Sequence, residues 1–342
     1  MSPVVRRAAA LGFATALALG APASASDAER RREGPLQGRD EWLLAQPRLT
    51  LPAAGPDVLE RGRGRLRLHF DWGNDFGWSQ ETRGEAPRDR RYLVDGEHRS
   101  LALGARLGLG GRLELSARLP LYWRGGGILD GLIDWFHGWT GLPGNARESF
   151  FQDRLRVEGR RPTGEPLVWE GRAGSGLGDL ELGLKRALIG GRGEPEWSLA
   201  LLGRVTLPTA TGPFGGGTAE LGGQLVAARG LGTRADLYLG AGASWWPENE
   251  RDGLSYVGGR GHGFVGVEWR PARRLSLLVQ AEAASRMVRH LESLPGAHSY
   301  LRMGARWRLS ERWTLEGGFT EGLTHQQATT DFGVGLGLSR SF

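Results

Sequence analysis

The sequence contains no cysteine, which excludes a disulfide framework, a thiolate metal site and a cysteine nucleophile. Beyond its first 25 positions it has no run of roughly 18 apolar residues, so a bundle of membrane-spanning helices is excluded on length. Hydrophobic residues make up only 39% of the 342 positions, little for a thick buried core. Neither a nucleotide-binding glycine loop nor a zinc motif occurs. The formal charge of +6 is mild, and falls to +4 without Arg6 and Arg7. The arginines are scattered among acids instead of forming a stripe, so no nucleic-acid partner is expected.

What is present begins with a leader. Arg6 and Arg7 precede an apolar run over 8–21, and Ala23-Ser24-Ala25 supplies a small-residue cleavage site. Residues 1–25 are therefore read as a signal peptide, with the mature chain starting near Ser26 and exported.

Strand-like alternation fills the rest. In "RLRLHFDW", Leu66, Leu68, Phe70 and Trp72 fall on one face, and Arg67, His69 and Asp71 on the other. About twelve such segments follow one another: 65–75, 98–109, 112–123, 176–188, 196–207, 218–229, 233–245, 261–270, 274–285, 298–309, 312–323 and 331–342. Each is about as long as a tilted strand needs to cross a bilayer. The connections alternate too, with tight turns such as Gly110-Gly111 and Gly230-Leu231-Gly232 between longer stretches at 76–97, 124–175, 208–217, 246–260, 286–297 and 324–330. Short turns on one side and long loops on the other imply a transmembrane antiparallel barrel with both termini on the periplasmic side. Aromatics agree, since Trp197, Trp269, Trp307 and Trp313 fall at the short-turn ends and Trp72, Trp123 and Trp245 at the opposite ends, all on the apolar phase. A soluble β-sandwich would alternate as well, but has no reason to sort aromatics by strand end.

The expected fold is thus all-β: a barrel over 64–342 with about twelve strands and one amphipathic helix in a long extracellular loop. It is placed in the outer membrane of a Gram-negative bacterium, in contact with lipid and lipopolysaccharide, and is expected to be monomeric. The last strand, "TDFGVGLGLSRSF", ends on Phe342 and resembles the terminal strand that the barrel-assembly machinery of Gram-negative bacteria reads.

The inward phase carries Arg67, His69, Arg106, Glu114, Arg118, Asp179, Glu181, Lys185, Arg204, Glu220, Gln224, Asp236, Glu268, Gln280, Glu282, Arg302, Arg306 and Glu316. These are the lumen-lining candidates, either pairing across strands to fill the interior or forming a polar pathway. Gly104, Gly108, Gly240, Gly242, Gly333, Gly335 and Gly337 also point inward, and glycine weakens a strand unless something approaches it closely. The proline-containing segment before the first strand, within residues 26–63, is the candidate for that approach, as a lumenal plug or else a periplasmic tail.

The helix expected near 128–140 places Leu129, Leu132, Ile133, Phe136 and Trp139 on one face and Asp130, Asp134 and His137 on the other, with Gly141, Leu142 and Pro143 as its stop. It is read as a mouth cover laying its apolar face on the rim or into the lumen, and hairpins at 151–158 and 166–172 fold the same loop further over the mouth. Two carboxylates and an imidazole also suit a divalent metal or acid–base work, but polar residues opposite an apolar face are what any amphipathic helix shows. No catalytic residue, cofactor or metal is assigned.

Three stretches, "GPLQGRDEW", "DWGNDF" and "LDGLIDWFHGWTGLPGNARE", together resemble a family of Gram-negative outer-membrane barrels of unknown function. "GLGDLELGLKR" and "LPTATGPFGGG" are similar to outer-membrane channels of phenol-degradation operons. The resemblance implies emphasis on Asp130, His137, Gly141, Leu142, Pro143 and Arg147. With Asp134, it makes Asp130, His137 and Arg147 the binding or gating candidates. The leading expectation is a channel or transporter for small molecules with a loop-helix constriction. The alternatives are a hydrolase acting at the barrel mouth and a structural or surface-interaction barrel without flux.

Overall fold

Every segment with period-two alternation becomes a strand, 176–188 in two pieces. The computed structural model describes residues 32–39, 42–78, 92–141, 149–160, 165–169, 173–190, 197–251, 253–289, 297–323 and 330–342. The chain first runs through β1 (Gly64–Trp78), β2 (Leu93–Gly110) and β3 (Leu113–Gly125). Short strands β4 (Arg156–Arg160), β5 (Pro166–Trp169) and β6 (Gly174–Leu177) precede β7 (Leu180–Ile189), β8 (Ser198–Leu207), β9 (Glu220–Leu231) and β10 (Ala235–Trp245). After the small β11 (Glu250–Arg251) and β12 (Leu254–Ser255) come β13 (Gly259–Ala272), β14 (Leu275–Ser285), β15 (Ala297–Arg308), β16 (Trp313–Gly322) and β17 (Phe332–Ser341).

Twelve of these, namely β1–β3, β7–β10 and β13–β17, pair antiparallel with their sequence neighbours, and β17 returns to β1 to close the barrel. Closure leaves no unpaired edge, the condition for crossing a bilayer with strands. Phe342 completes the seam: its amide and carbonyl exchange hydrogen bonds with Gly64 at 3.0 and 2.9 Å. The short-turn end is tight, and Gly110, Gly111 and Arg112 all take positive φ where β2 turns into β3. Register shifts at Gly108/Gly110, Ala187/Ile189 and Trp269/Ala272 fall at this same rim, where bulges are common.

One register sets both faces. Across the seam, Leu68 pairs with Leu338 and Phe70 with Leu336 on the outer side, while Arg67 pairs with Ser339 and His69 with Gly337 on the inner. Leu68, Leu103, Leu184, Leu225 and Leu336 are exposed, an arrangement that only an apolar surrounding rewards. Trp197, Trp307 and Trp313 are exposed at the short-turn end, as is Trp245 at the other.

Residues 32–39 run inward from the short-turn end, and residues 42–60 turn at 42–48 and return to the start of β1. Arg32 meets Asp236 and Ser198 low on the wall, and Leu43 meets Asp75 high on β1. On the way back, Lys185 holds the Asp57 carbonyl, and Gly62 bonds to Gly108 beside the first turn. The bend has helix-like hydrogen bonds from the Ala45 and Gln46 amides to the Trp42 carbonyl. Its Trp42, Leu43, Leu44 and Leu49 pack with Tyr92, Val94, Val157, Trp169, Trp246, Tyr256 and Met287. The largest apolar core therefore sits at the long-connection end, where this bend meets the loops.

The loops add a hairpin, β4 with β5, which pairs through β4 with the top of β2. A helix, α1, spans Asp130–Thr140 and stops at Gly141, whose φ of +71° suits a glycine. Leu129 and Ile133 are buried beneath it.

Candidate functional site

The inner wall binds the amino-terminal segment largely through its backbone. The Gln280 amide both donates to and accepts from Leu36, and Arg306 donates to the carbonyls of Gly34 and Pro35. Arg302 donates to the Arg39 carbonyl at 2.6 Å while its Nε holds Glu282 at 2.6 Å. On the returning arm, Glu220 accepts from Leu49 N at 2.5 Å and pairs with Arg48 at 2.8 Å. Gln224 reaches the Pro52 carbonyl at 3.2 Å, and Glu114 accepts from Leu59 N at 2.9 Å. Buried peptide groups outside a ladder need partners of this kind, and the wall supplies them.

Two wall regions treat the segment differently. On one side Ala53 and Ala54 pack tightly against Ala200, Leu202, Val226, Ala228, Tyr238 and Phe264. Leu36 lies against the glycine pair of β15 and β16, where a Cβ added to Gly304 would sit 3.1 Å from the leucine Cδ1. On the other side a cavity of about 140 Å³ remains between the segment and β1–β3, β7 and β8, reaching Arg306, Glu316 and Ser339 of β15–β17. Gly104 faces that space, and an added Cβ there would meet nothing nearer than 3.8 Å.

Charges line the cavity in shared groups. Glu316 holds Arg67 at 2.6 Å and also Arg306. Glu114 is gripped by both Nε and NH2 of Arg106, at 2.7 and 2.8 Å, with Lys185 at 3.3 Å. Glu181 receives Arg39 at 2.6 Å, Arg118 at 2.9 Å and, more distantly, Arg204 at 3.9 Å. His69 bridges Arg67 and Asp71 at 3.0 Å each.

The other inward residues form structural pairs. Asp236 binds Arg32 and Arg270, Glu268 accepts from Tyr238, and Glu282 takes His262 as well as Arg302. Asp179 differs: its carboxylate receives the amides of Ala210 and Gly216 and so fixes the 208–217 connection. Of the inward glycines, Gly108 is the one the segment's backbone crowds, because an added Cβ would lie 2.0 Å from the Glu60 carbonyl. Gly240 is instead filled by the Phe264 ring.

The helix corrects the amphipathic reading in two places. Asp130, expected on the polar face, is buried and accepts from Asn74 at 3.2 Å and from the Asp153 amide at 2.8 Å. It ties the top of β1 to the returning loop, a demand the helical period cannot reveal. Trp139, expected to face the rim, is 74% exposed and stacks on exposed Trp135 with centroids 6.3 Å apart. Asp134 takes a hydrogen bond from Gln152 at 2.7 Å, so the two carboxylates serve different partners. The side chain of His137, together with Leu142, Pro143, Arg147 and the leader, lies outside the described residues.

Several anchors carried no sequence signal of their own. Glu97 accepts from the Ile128 and Leu129 amides at the start of α1 and from Trp72 Nε1. Asp75 joins His98 to Leu43. Trp246 and Tyr256 donate to the carbonyls of Leu49 and Leu44, and burial pushes the nearby Tyr92 phenol above its ordinary value.

A closed barrel with its amino-terminal segment inside can be set beside known proteins. The family model described as "Protein of unknown function (DUF3187)" matches residues 13–342. The chain belongs to this family. No curated protein matches it in sequence. Among solved structures, the COG4313 outer membrane channel from Pseudomonas putida F1 is 12% identical, with 85% of this chain and 100% of that one covered at a TM-score of 0.57. The NanC porin is 6% identical over 82% of this chain and 98% of its own, at a TM-score of 0.45. The P. putida toluene transporter TodX is 10% identical over 83% and 90%, at 0.41. The first likeness shows that this DUF3187 member has the fold of an outer-membrane barrel.

Proposed function

We propose that this DUF3187 protein is a channel for small molecules, and that its amino-terminal segment is a lumenal plug that narrows the path. The barrel resides in the Gram-negative outer membrane, where its exposed leucines meet lipid and its tryptophans the interfaces. Residues 1–25 are the export leader, 26–63 the plug segment and 64–342 the barrel. The long loops, with α1, face outward and narrow the mouth; the short turns and Phe342, the signal for barrel assembly, face the periplasm.

The asymmetry of the lumen carries this reading. A barrel meant only as a rigid scaffold gains from filling its interior completely, yet the plug is packed closely against β8–β10 and β13 and, at Leu36, against β15 and β16, and leaves a charged cavity bordered mainly by β1–β3 and β7. Polar residues lining such a space set what passes. The test is a planar-bilayer recording on the purified full chain. Discrete conductance steps are expected; silence at all applied voltages, with the barrel folded, would establish an occluded structural barrel instead.

A further inference from the structure

We propose that the cavity beside the plug is a binding site for a small organic anion, a monocarboxylate of about one ring in size. This deepens the channel reading and rests on it for the anion's route. Three observations carry it.

The first is charge. Glu316 is shared by Arg67 and Arg306, Glu114 by Arg106 and Lys185, and Glu181 by three arginines. One carboxylate neutralises one cation, so the Glu316 and Glu181 groups keep positive charge, the Glu181 group most. Glu33 is matched by Arg65, and Asp71, beside His69, offsets no more than one of the remaining positive charges. Low-dielectric walls focus such a field and concentrate ions of opposite sign.

The second is unused hydrogen-bonding capacity. Arg204 stands 3.9 Å from Glu181, too far for a hydrogen bond, and its buried Nε has no partner. The Nε of Arg39, whose side chain is only 5% exposed, is likewise without one. Both side chains line the cavity. Guanidinium groups held in this way suit a carboxylate, which accepts paired N–H bonds.

The third is shape. The cavity's volume of about 140 Å³ is close to the ~150 Å³ that admits a benzene ring in an engineered protein cavity. Gly104 and Ala102 keep one wall low, and Pro52 and Ala54 of the plug border the cavity with apolar groups.

The experiment is isothermal titration calorimetry on the detergent-purified full chain, using benzoate, benzyl alcohol and benzylammonium. Benzoate is expected to bind at one site, with the neutral and cationic rings at least about tenfold weaker. Arg204→Gln and Arg118→Gln are each expected to weaken benzoate about tenfold, with a heat-modifiable band on gels reporting a folded barrel. Failure of either variant to fold leaves the charge series on the unaltered chain as the deciding measurement. Absence of benzoate binding, or equal binding of all three rings, overturns the proposal. Bilayer conductance separates the two readings: benzoate binding without conductance supports the site and removes the channel, whereas conductance without binding removes only the site.

Discussion

The side-chain amide of Gln280 holds Leu36 from both sides, donating to its carbonyl at 3.1 Å and accepting from its amide at 2.9 Å. A wall residue thus serves the plug as a neighbouring strand would, satisfying peptide groups without asking for a particular side chain. Gln280→Leu strands both groups in a buried setting, at about 1–3 kcal/mol for each. Hydrogen exchange should accelerate at the Leu36 amide while the β14–β15 ladder stays protected. Unchanged exchange would show that the clasp carries no energy.

Glu220 ties the returning arm to β9 through Arg48 and the Leu49 amide. Glu220→Gln keeps an acceptor for the amide but leaves the buried Arg48 guanidinium without its carboxylate. Breaking a buried pair on one side costs about 3–5 kcal/mol, so the urea midpoint in lipid vesicles should fall clearly. Stacking of Arg48 over Tyr256, 4.1 Å from the ring centroid, offsets part of this loss. A midpoint equal to the parent's would contradict the pairing.

Asp130 has a different reach. Asp130→Ala removes the acceptor for Asn74 and for the Asp153 amide, at about 1–2 kcal/mol, and the loss is confined to one loop. Limited proteolysis should open sites between 126 and 155 at an unaltered barrel midpoint. Loss of the whole barrel would mean that the loop carries far more than these hydrogen bonds.

Gly108 is where the plug's exit touches the wall. The side chain of Gly108→Val would collide with the Glu60 carbonyl, so residues 59–62 must shift and the Leu59 bond to Glu114 is lost. The expected penalty is about 1–3 kcal/mol, read as a lower urea midpoint. The same change at Gly203, where an added Cβ meets nothing, should be close to neutral.

The barrel was legible because lipid outside and polar groups inside impose one rule on every strand. The predicted segments 274–285 and 298–309 differ from the strands Leu275–Ser285 and Ala297–Arg308 by a single residue at most of their ends. Segment 176–188 hid a break, since Asp179 leaves the ladder between β6 and β7 to hold a loop, and alternation carries no mark of that. The plug's contacts were less legible still. Gln280 and Leu36 are 244 residues apart, and a segment held by its carbonyls and amides shows no periodicity. Arg39 and Arg48 were the available clue, as cations in a stretch rich in leucine, proline and alanine that faces wall carboxylates. The helix misled at Asp130 because a helical wheel knows nothing of the strand that packs behind it.

The central claim is that the plug, residues 32–39 and 42–60, packs closely against part of the lumen wall and leaves a charged cavity beside β1–β3 and β7, which it touches only at points such as Leu59 and Asp57. The chain has no cysteine, so the pair Leu36→Cys with Gly318→Cys tests this without background. A Cβ at 318 falls 3.7 Å from the present Leu36 Cδ1 and no closer than 3.3 Å to any strand atom, so the two side chains are neighbours. The account predicts that mild oxidation links the two in outer-membrane preparations and that single-channel conductance persists in the linked form. Two thiols that react freely with maleimide but never join would place the segment elsewhere, and a linked form without conductance would deny the passage beside it.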